Sequence, residues 1–477
     1  PALSTFYVNM VGKAVNSERS NQPAVLPERL PEALNGTAKG LDYLDTTALW
    51  QYHWSLHSAG HSSLDLQKDI PRENMYRKRD RATSFMLGDS GGFQIGKGKW
   101  EGDWRAGSGC PKAQKKRDGV LKWMDEFMDY GMILDVPAWL SRSPEGAIAS
   151  KISTYQEAVD GTAFNNEYFI KHRDGRCKFL NVLQGENHTQ ADDWYAQMKR
   201  FNDPKIYPDA HFNGWAMGGQ NACDIHLILK RVVTMMHDGL LEEGIHDWMH
   251  VLGTGKLEWA GVLTAVQRGV RKHHNKNFTI SFDCASPFLA TSNGAQYTHF
   301  KLPHKGKWSY IMEPAPDDRK FKLDSVISNT LWDDFCRPLY DEWMSSPLSE
   351  TMKVSDVCCY APGDVNKIGK EGKTSWDSFS YALLMNHNIY LHIRSVQETN
   401  RLIDSGMYPR QLVDDNHAAT AIKEVIARVF ELGDRDKQLQ LIEKHSKLWM
   451  KLIGSRGAIG KKTINASAQF SSLFEEA

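Results

Sequence analysis

Short apolar runs alternate with longer amphipathic stretches through the middle of the chain. Each short run stops at Gly, Asp or Gln, as a buried strand does where it reaches the edge of a site. The longer stretches repeat apolar residues every three or four positions, which is typical of helices that bury one face. The pattern predicts strands at 85–88, 132–135, 179–183, 214–217, 249–252 and 278–282.

Helices are predicted between these strands. Apolar residues recur at helical spacing at 120–128, 151–171, 191–201, 225–236 and 257–270. Strands that alternate with helices predict a parallel sheet. Because no dinucleotide-binding glycine motif follows a strand, we expect an α/β fold of the (β/α)8 TIM barrel type, with insertions and a helical C-terminal extension.

The regular pattern covers only part of the chain, which suggests three regions. We predict an N-terminal extension over 1–80 and a barrel domain over 81–400 that carries an insertion at about 284–350. A helical C-terminal region is predicted over 401–477, because apolar residues recur at helical spacing through much of it.

Two weaker segments are predicted as further strands, at 6–10 and 389–393. His53, His57 and His61 are spaced four residues apart and would share one face if this segment were a helix. No cysteine or carboxylate accompanies them, so we favour a capping or substrate-contact surface over a metal site.

Composition narrows the class of protein. Lys+Arg 58 balances Asp+Glu 58, so no global basic field marks a nucleic-acid binder, and local patches must supply any such contact. The chain shows no apolar run of membrane-spanning length and no secretory signal. Seven cysteines without framework spacing fit a reducing compartment. We therefore expect a cytoplasmic protein with no membrane partner.

Polar residues and glycines follow the predicted strands, at Asp89, Asp135, Gln184, Gly219, Gly253 and Asp283. In a TIM barrel the carboxyl ends of the strands meet at one face. A carboxylate there can accept the paired N–H groups of a guanine-like edge, while an amide and a backbone N–H serve a carbonyl. A second carboxylate can attack a sugar carbon and a third can move a proton.

Five motifs occur in order along the chain: Asp89-Ser90-Gly91-Gly92-Phe93-Gln94, Leu183-Gln184-Gly185, Ala216-Met217-Gly218-Gly219, Val251-Leu252-Gly253-Thr254-Gly255 and Phe282-Asp283-Cys284. Together they resemble the tRNA-guanine transglycosylase (queuine tRNA-ribosyltransferase) superfamily, whose fold is a TIM barrel. The resemblance covers roughly 85–290 and continues more weakly to about 400.

The resemblance implies roles for individual residues. Asp283 would be the nucleophile at C1′, and Asp89 the general acid/base. The base-binding residues would be Ser90, Asp135, Gln184, Gly218, Gly219 and Leu252. Asp135 would read the N1 and 2-amino edge, Gln184 and the Gly219 amide the carbonyl. The chemistry requires no cofactor.

The family's structural zinc uses three close cysteines and a later histidine. The matching residues here are Cys358, Cys359 and His387. A third cysteine is missing, unless its place is taken by Cys336, Asp356 or Asp364. Adjacent cysteines do not easily point at one tetrahedral metal, so a zinc site and a degenerate site held by packing both stay open.

The chain is longer than a typical bacterial tRNA enzyme, its zinc motif is eroded, and it has no recognisable archaeal-type RNA-binding extension. These features resemble the DpdA-type branch of phages and bacteria, which exchanges guanine in DNA for a 7-deazaguanine such as preQ0. The expected partners are DNA and the free 7-deazaguanine base, in the host cytoplasm if the protein is phage-encoded. The alternatives are the same exchange on tRNA, or a non-catalytic nucleic-acid-binding subunit. The oligomeric state stays open.

Basic stretches are candidates for phosphate contacts, although each is also compatible with an ordinary solvated face. The residues concerned are Arg77, Lys78, Arg79, Lys116, Arg117, Arg271 and Lys272. Trp100, Trp104 and Trp308 lie beside such stretches, and we consider them as wedges or stacking partners for bases.

Overall fold

The computed structural model describes residues 1–16, 30–301, 308–316, 321–330, 345–357, 378–404 and 418–453. Its centre is a curled, wholly parallel seven-stranded sheet in which the strands follow one another in chain order. These strands are β1 Trp54–Ser58, β2 Phe85–Asp89, β3 Tyr130–Met132, β4 Lys178–Leu183, β5 Gly214–Met217, β6 Trp248–Val251 and β7 Thr279–Phe282. The predicted α/β fold with a parallel sheet is confirmed.

Helices connect the strands, as a parallel sheet requires. They are α2 Asn74–Arg77, α3 Gly92–Gly96, α4 Pro111–Phe127, α5 Pro144–Ser150, α6 Tyr155–His172, α7 His188–Met198, α8 Ile225–His237 and α9 Leu257–His273. Every residue of β5 and β6 is buried, because helices cover the outside of a parallel sheet and side chains fill the inside.

The two edges of the sheet, β1 and β7, are both hydrogen-bonded to residues 1–3. The Leu3 amide donates to the Leu56 carbonyl (2.8 Å), and the Leu56 amide donates to the Pro1 carbonyl (3.0 Å). On the other side, the Ala2 amide donates to the carbonyl of Cys284, which follows β7 (3.4 Å). Residues 1–3 therefore bridge the two edges of the sheet.

The prediction of a strand at 6–10 is wrong, because this segment lies in helix α1, Thr5–Asn16. Its buried side chains are Tyr7, Val8, Met10 and Val11, and the steps of three and four positions from 7 to 10 and 11, and of three from 8 to 11, are helical. A short apolar run does not by itself distinguish a strand from a buried helix.

The same ambiguity explains residues 389–393, which lie inside the long helix α12, Ser378–Asp404, and not in a strand. The histidine segment is not an α-helix. His57 lies on strand β1, so His53, His57 and His61 do not share a helical face. The ring of His57 is buried between Tyr76 and Trp123.

The rest of the described chain packs around the sheet. Helix α10, Ser286–Ser292, is followed by an antiparallel hairpin of β8, Ala295–Lys301, and β9, Ser309–Pro314. The later helices are α11 Val354–Val357, α12, α13 Ala418–Glu431, α14 Arg435–Lys444 and α15 Ser446–Ile453. None of the helices in the described residues is both long and apolar enough to span a membrane.

Candidate active site

A cavity of about 290 Å³ opens at the carboxyl ends of the strands. It is lined by seven of the residues that the sequence nominated: Asp89, Asp135, Gln184, Gly218, Gly219, Leu252 and Asp283. They come from six different strands or the turns that follow them, and the fold brings them together. The eighth, Ser90, is buried beside Asp89 but does not line the cavity, and its hydroxyl has no hydrogen-bond partner among the described residues.

Two glycines allow the backbone to hold the carboxylates. A Cβ atom on Gly92 would lie 2.6 Å from the carbonyl oxygen of Asp135 and 2.7 Å from its Oδ1, so only glycine permits this approach. Gly253 has a φ of 64°, and in this conformation its amide donates to Oδ1 of Asp283 at 2.8 Å. The glycines of the strand-end motifs therefore position carboxylates directly.

Asp283 is held by a buried chain of hydrogen bonds. The Trp248 indole donates to Oγ of Ser281 (2.9 Å), and this hydroxyl lies 2.8 Å from Nδ1 of His250. Nε2 of His250 lies 3.1 Å from Oδ1 of Asp283. The serine oxygen has two lone pairs, so it can accept from both the indole and Nδ1–H of a charged imidazole, while Nε2–H donates to the carboxylate.

Both donors to Asp283 reach the same oxygen, Oδ1, from His250 and Gly253. Within the described residues no donor reaches Oδ2, so this oxygen is the one directed to a ligand. Burial would raise the pKa of Asp283, but the hydrogen bond and charge of His250, together with the Gly253 amide, lower it below the ordinary value. Asp283 is therefore kept ionised although its side chain is only 13% exposed.

Asp89 experiences the opposite balance. Burial raises its pKa, and the charge of Asp283 raises it further. Hydrogen bonds from the Ser58 hydroxyl and the Gly91 amide (3.3 Å to Oδ1) oppose this effect without cancelling it. A carboxyl group whose pKa is raised beside an ionised one is suited to proton transfer.

Asp135 pairs with Gln184, whose Nε2 donates to Oδ2 at 2.7 Å. Burial raises the pKa of Asp135 to about 7, and the charge of Asp89 adds to this effect while the Gln184 hydrogen bond opposes it. The second N–H of the Gln184 amide remains to serve a ligand carbonyl. Together the two side chains offer an acceptor and a donor side by side.

The sequence-based reasoning missed His250, Ser281 and Ser58, which support the carboxylates. A usable signal existed, because side chains two residues apart on a strand point to the same face. Ser281 comes two residues before Asp283, and His250 is its partner in the β6–β7 register. Polar residues at those two positions could have been predicted to form hydrogen bonds that hold the carboxylate at the strand end.

Most of the nominated basic residues lie away from the cavity. Arg77 donates to Glu73 and to the Ser63 carbonyl, and Arg79 is paired with Asp129 at 2.6 Å. Lys78 is an exposed neighbour of these two. Lys78 and Arg79 lie toward the amino end of the strands, where Arg79 donates to the Ser84 carbonyl just before β2, whereas Arg77 reaches the Ser63 carbonyl after β1.

Arg271 and Lys272 likewise directly precede β7, and Arg271 donates to the Phe278 carbonyl at 2.6 Å. Arg117 is buried and donates to Asn165 at 2.6 Å. These arginines hold the fold together and do not present free charges at the cavity. Lys116 lies above the ring of Trp100, which contacts Gly91 on the cavity wall.

The three nominated tryptophans are buried. Trp104 and Trp308 are 0% and 4% exposed, which leaves no ring face for a base in this conformation. Trp100 is also largely buried and lies against Gly91 on the cavity wall. The hypothesis of exposed wedges at these three positions is therefore not supported by their burial.

The nominated zinc ligands Cys358 and Cys359 lie outside the described residues. His387 is described, and both of its ring nitrogens are engaged: Nδ1 lies 2.8 Å from Oγ of Ser346, and Nε2 lies 3.0 Å from the Tyr297 carbonyl. A histidine with both nitrogens hydrogen-bonded does not offer a lone pair to a metal. Over the described ranges no group of three potential metal ligands is found.

The geometry thus presents one ionised carboxylate, two carboxyl groups with raised pKa values, an amide and glycine turns around a single cavity. Comparison of the chain with models of protein families and with curated proteins found no match.

Proposed function

We propose that this protein is a transglycosylase that exchanges guanine in DNA for a 7-deazaguanine of the preQ0 type, through a covalent glycosyl ester on Asp283. The observation that carries the proposal is the divergence of the carboxyl pKa values within one cavity. Asp283 is kept ionised, whereas Asp89 and Asp135 are shifted toward the protonated form. Such divergence is typical of sites that combine a nucleophile with a general acid.

In the first half of the reaction, Oδ2 of Asp283 attacks C1′ of the target deoxyribose, and the bond from C1′ to N9 of guanine breaks. The electron pair of that bond leaves with guanine, and Asp89 supplies the proton that neutralises the departing base. His250 and the Gly253 amide, both on Oδ1, orient the carboxylate without occupying the attacking oxygen.

In the second half, Asp89 is a carboxylate and removes the N9 proton of the incoming 7-deazaguanine. N9 then attacks C1′, and the ester bond to Asp283 breaks with return of the electron pair to the carboxylate. Two displacements give net retention at C1′. One glycosidic bond replaces another, so no energy source is needed.

Base recognition falls to Asp135 and Gln184. The N1–H and 2-amino groups of guanine donate to a carboxylate, and this pairing favours the ionised form of Asp135 once the base is bound. The second amide N–H of Gln184 and the Gly219 amide serve the base carbonyl. Leu252 supplies an apolar contact to the base plane.

A duplex substrate requires that the target nucleotide leaves the stack before its base enters the cavity. We also propose the finer (β/α)8 assignment, in which residues 1–3 take the place of an eighth strand. In support, these residues hydrogen-bond to both sheet edges, and Ala2 and Leu3 line the cavity. The choice of DNA over tRNA rests on the sequence features of the DpdA-type branch.

The test incubates the enzyme with labelled guanine or preQ0, in parallel with plasmid DNA and with tRNA, followed by mass spectrometry of the nucleosides. We expect label and the 7-deazaguanine nucleoside in DNA, and neither with Asp283→Asn. Incorporation into tRNA alone would overturn the DNA assignment. Incorporation into neither would favour a non-catalytic subunit.

A further inference from the structure

A second cavity, of about 780 Å³, lies directly behind one wall of the active-site cavity. It runs between helix α4 and the loop at 64–67, and we refer to it as the lysine groove. Its charged residues are Lys99, Lys112, Lys115, Lys116 and Lys122, against Asp65, Glu101 and Asp118. Positive charge is therefore in excess, although the chain as a whole is neutral.

The lysines of α4 occupy one face of the helix. The row follows intervals of three or four residues along α4, with a glycine at one of its positions: Lys112, Lys115, Lys116, Gly119 and Lys122. Lys112 contacts Glu101 (3.6 Å) and Lys122 contacts Asp118 (2.9 Å), which leaves the middle of the row uncompensated. In the part of the chain that the structure describes, no carboxylate forms an ion pair with Lys115 or Lys116.

The lysine groove and the active-site cavity share a wall. A Cβ atom on Gly91, which lines the cavity, would lie 2.9 Å from Cη2 of Trp100, which lines the groove. Nζ of Lys116 lies 4.9 Å above the Trp100 ring. Burial lowers the pKa of Lys116, and the charge of Lys115 lowers it further, so a bound anion would relieve a repulsion that is already present.

An electrostatic interaction also crosses the same wall. His61 lines the active-site cavity, and its pKa is lowered to about 4, by burial first and then by the charge of Lys99. Positive charge thus extends from the edge of the cavity to the far end of the groove. A polymer with regularly spaced negative charges matches this layout better than a single small anion does.

We propose that the lysine groove holds the phosphodiester backbone of the DNA strand next to the nucleotide whose base enters the cavity, with Lys115 and Lys116 as the main phosphate contacts. This inference rests on the proposed function. It assigns the polymer contact to α4 and not to the basic stretches before β2 and β7, which lie at the opposite end of the strands.

The test measures fluorescence anisotropy of a labelled short DNA duplex between about 50 and 200 mM salt, without free base. The variant is Lys115→Gln/Lys116→Gln. Lys78→Gln/Lys272→Gln is the control, because it removes two exposed charges at the opposite end of the sheet. We expect affinity to fall on the order of tenfold or more in the first variant, and the magnitude of the salt slope to fall by about 1.8, close to 0.9 for each lost phosphate contact.

The control variant should bind as the wild type does, and Lys115→Arg/Lys116→Arg should retain binding because it keeps the charge. Wild-type binding by the glutamine variant, or a larger loss in the control, would overturn the groove assignment. Anisotropy does not depend on chemistry. If the glutamine variant changes the salt slope but the wild type exchanges no base, the proposed function is refuted and the groove is supported. If the wild type exchanges base but the variant leaves the salt slope unchanged, the groove is refuted and the proposed function is supported.

Discussion

Asp283 and Asp135 are identical side chains that line one cavity, yet their surroundings shift their pKa values in opposite directions. Asp283 receives donors from His250 and Gly253, and these outweigh burial, so its pKa is lowered. Asp135 receives one amide hydrogen bond from Gln184, which does not outweigh burial, so its pKa is raised to about 7. The number and charge of the hydrogen-bond donors, rather than the extent of burial, decide which carboxyl group is ionised and can act as the nucleophile.

The largest effect should come from Asp283→Asn, which removes the ionised member of this pair. The amide has no charge to offer C1′, so we expect base exchange to fall by at least about 10⁴-fold. Exchange is measured by label entering DNA. Free-base binding and the circular dichroism spectrum should be retained, and exchange at more than a small fraction of the wild-type rate would reassign the nucleophile.

Asp89→Asn tests the carboxyl group that is proposed to transfer the proton. Loss of a positioned acid/base typically costs about 10²–10⁴-fold, and we expect exchange to slow within that range. Affinity for the free base should change little, because Asp89 does not read the base edge in this account. An unchanged exchange rate would remove Asp89 from the proton transfer.

His250→Phe tests why the pKa of Asp283 is lowered whereas that of Asp135 is raised. Without the imidazole, Asp283 loses a hydrogen bond and a neighbouring positive charge, so its pKa should rise. Exchange should fall roughly tenfold to a hundredfold. More specifically, the acid limb of the pH–rate profile should move to higher pH by on the order of one unit.

His250→Gln is the matched control, because it keeps a donor but not the charge. We expect its acid limb to lie between those of the wild type and the phenylalanine variant. A lower rate with an unmoved acid limb in both variants would mean that His250 supports packing only and does not tune Asp283.

The smallest expected effect is the contribution of Asp135 to the pH dependence of the free energy of unfolding. A folded-state pKa of about 7 means that the folded protein holds a proton which the unfolded chain, with an ordinary value near 3.8, releases. The free energy of unfolding contributed by Asp135 is therefore present at low pH and is lost as the pH rises through about 4 to 7. Asp135→Asn cannot titrate, so relative to the wild type it should gain stability over this range, by up to about 4 kcal/mol.

Thermal unfolding at several pH values measures this difference, with the exposed Asp160→Asn as a control that should follow the wild type. A constant offset between Asp135→Asn and the wild type from pH 4 to 8 would show that Asp135 is not shifted.

The sequence sufficed to locate β2 and β4–β7 with their ends, because apolar runs that stop at Asp, Gln or Gly carry both the period and the chemistry. It did not show β1, and it placed β3 at 132–135 instead of Tyr130–Met132. It did not reveal that residues 1–3 join the sheet edges and line the cavity, since pairing between distant segments leaves no local pattern. The run at 389–393 failed for a related reason, because an apolar stretch inside a long buried helix resembles a strand.

The basic residues that are available to bind phosphate were the feature least predictable from the sequence. The stretches before β2 and β7 look like phosphate-binding patches in the sequence, but Arg79 and Arg271 are bound to groups of their own fold. Whether a cation is committed within the protein depends on tertiary contacts such as that of Arg79 with Asp129. The unpaired lysines of α4 can be recognised as one side of a groove only from the folded structure, in which the loop at 64–67 and Trp100 form the rest of its lining.

The most direct measurement traps the covalent intermediate. The enzyme is incubated with a DNA duplex in the absence of incoming base, denatured, and examined by intact-protein and peptide mass spectrometry. We predict an adduct whose mass equals protein plus DNA strand minus one guanine, on the peptide that contains Asp283, absent from Asp283→Asn and present, though slower to form, in Asp89→Asn. An adduct on another residue, or one that persists in Asp283→Asn, would contradict the account.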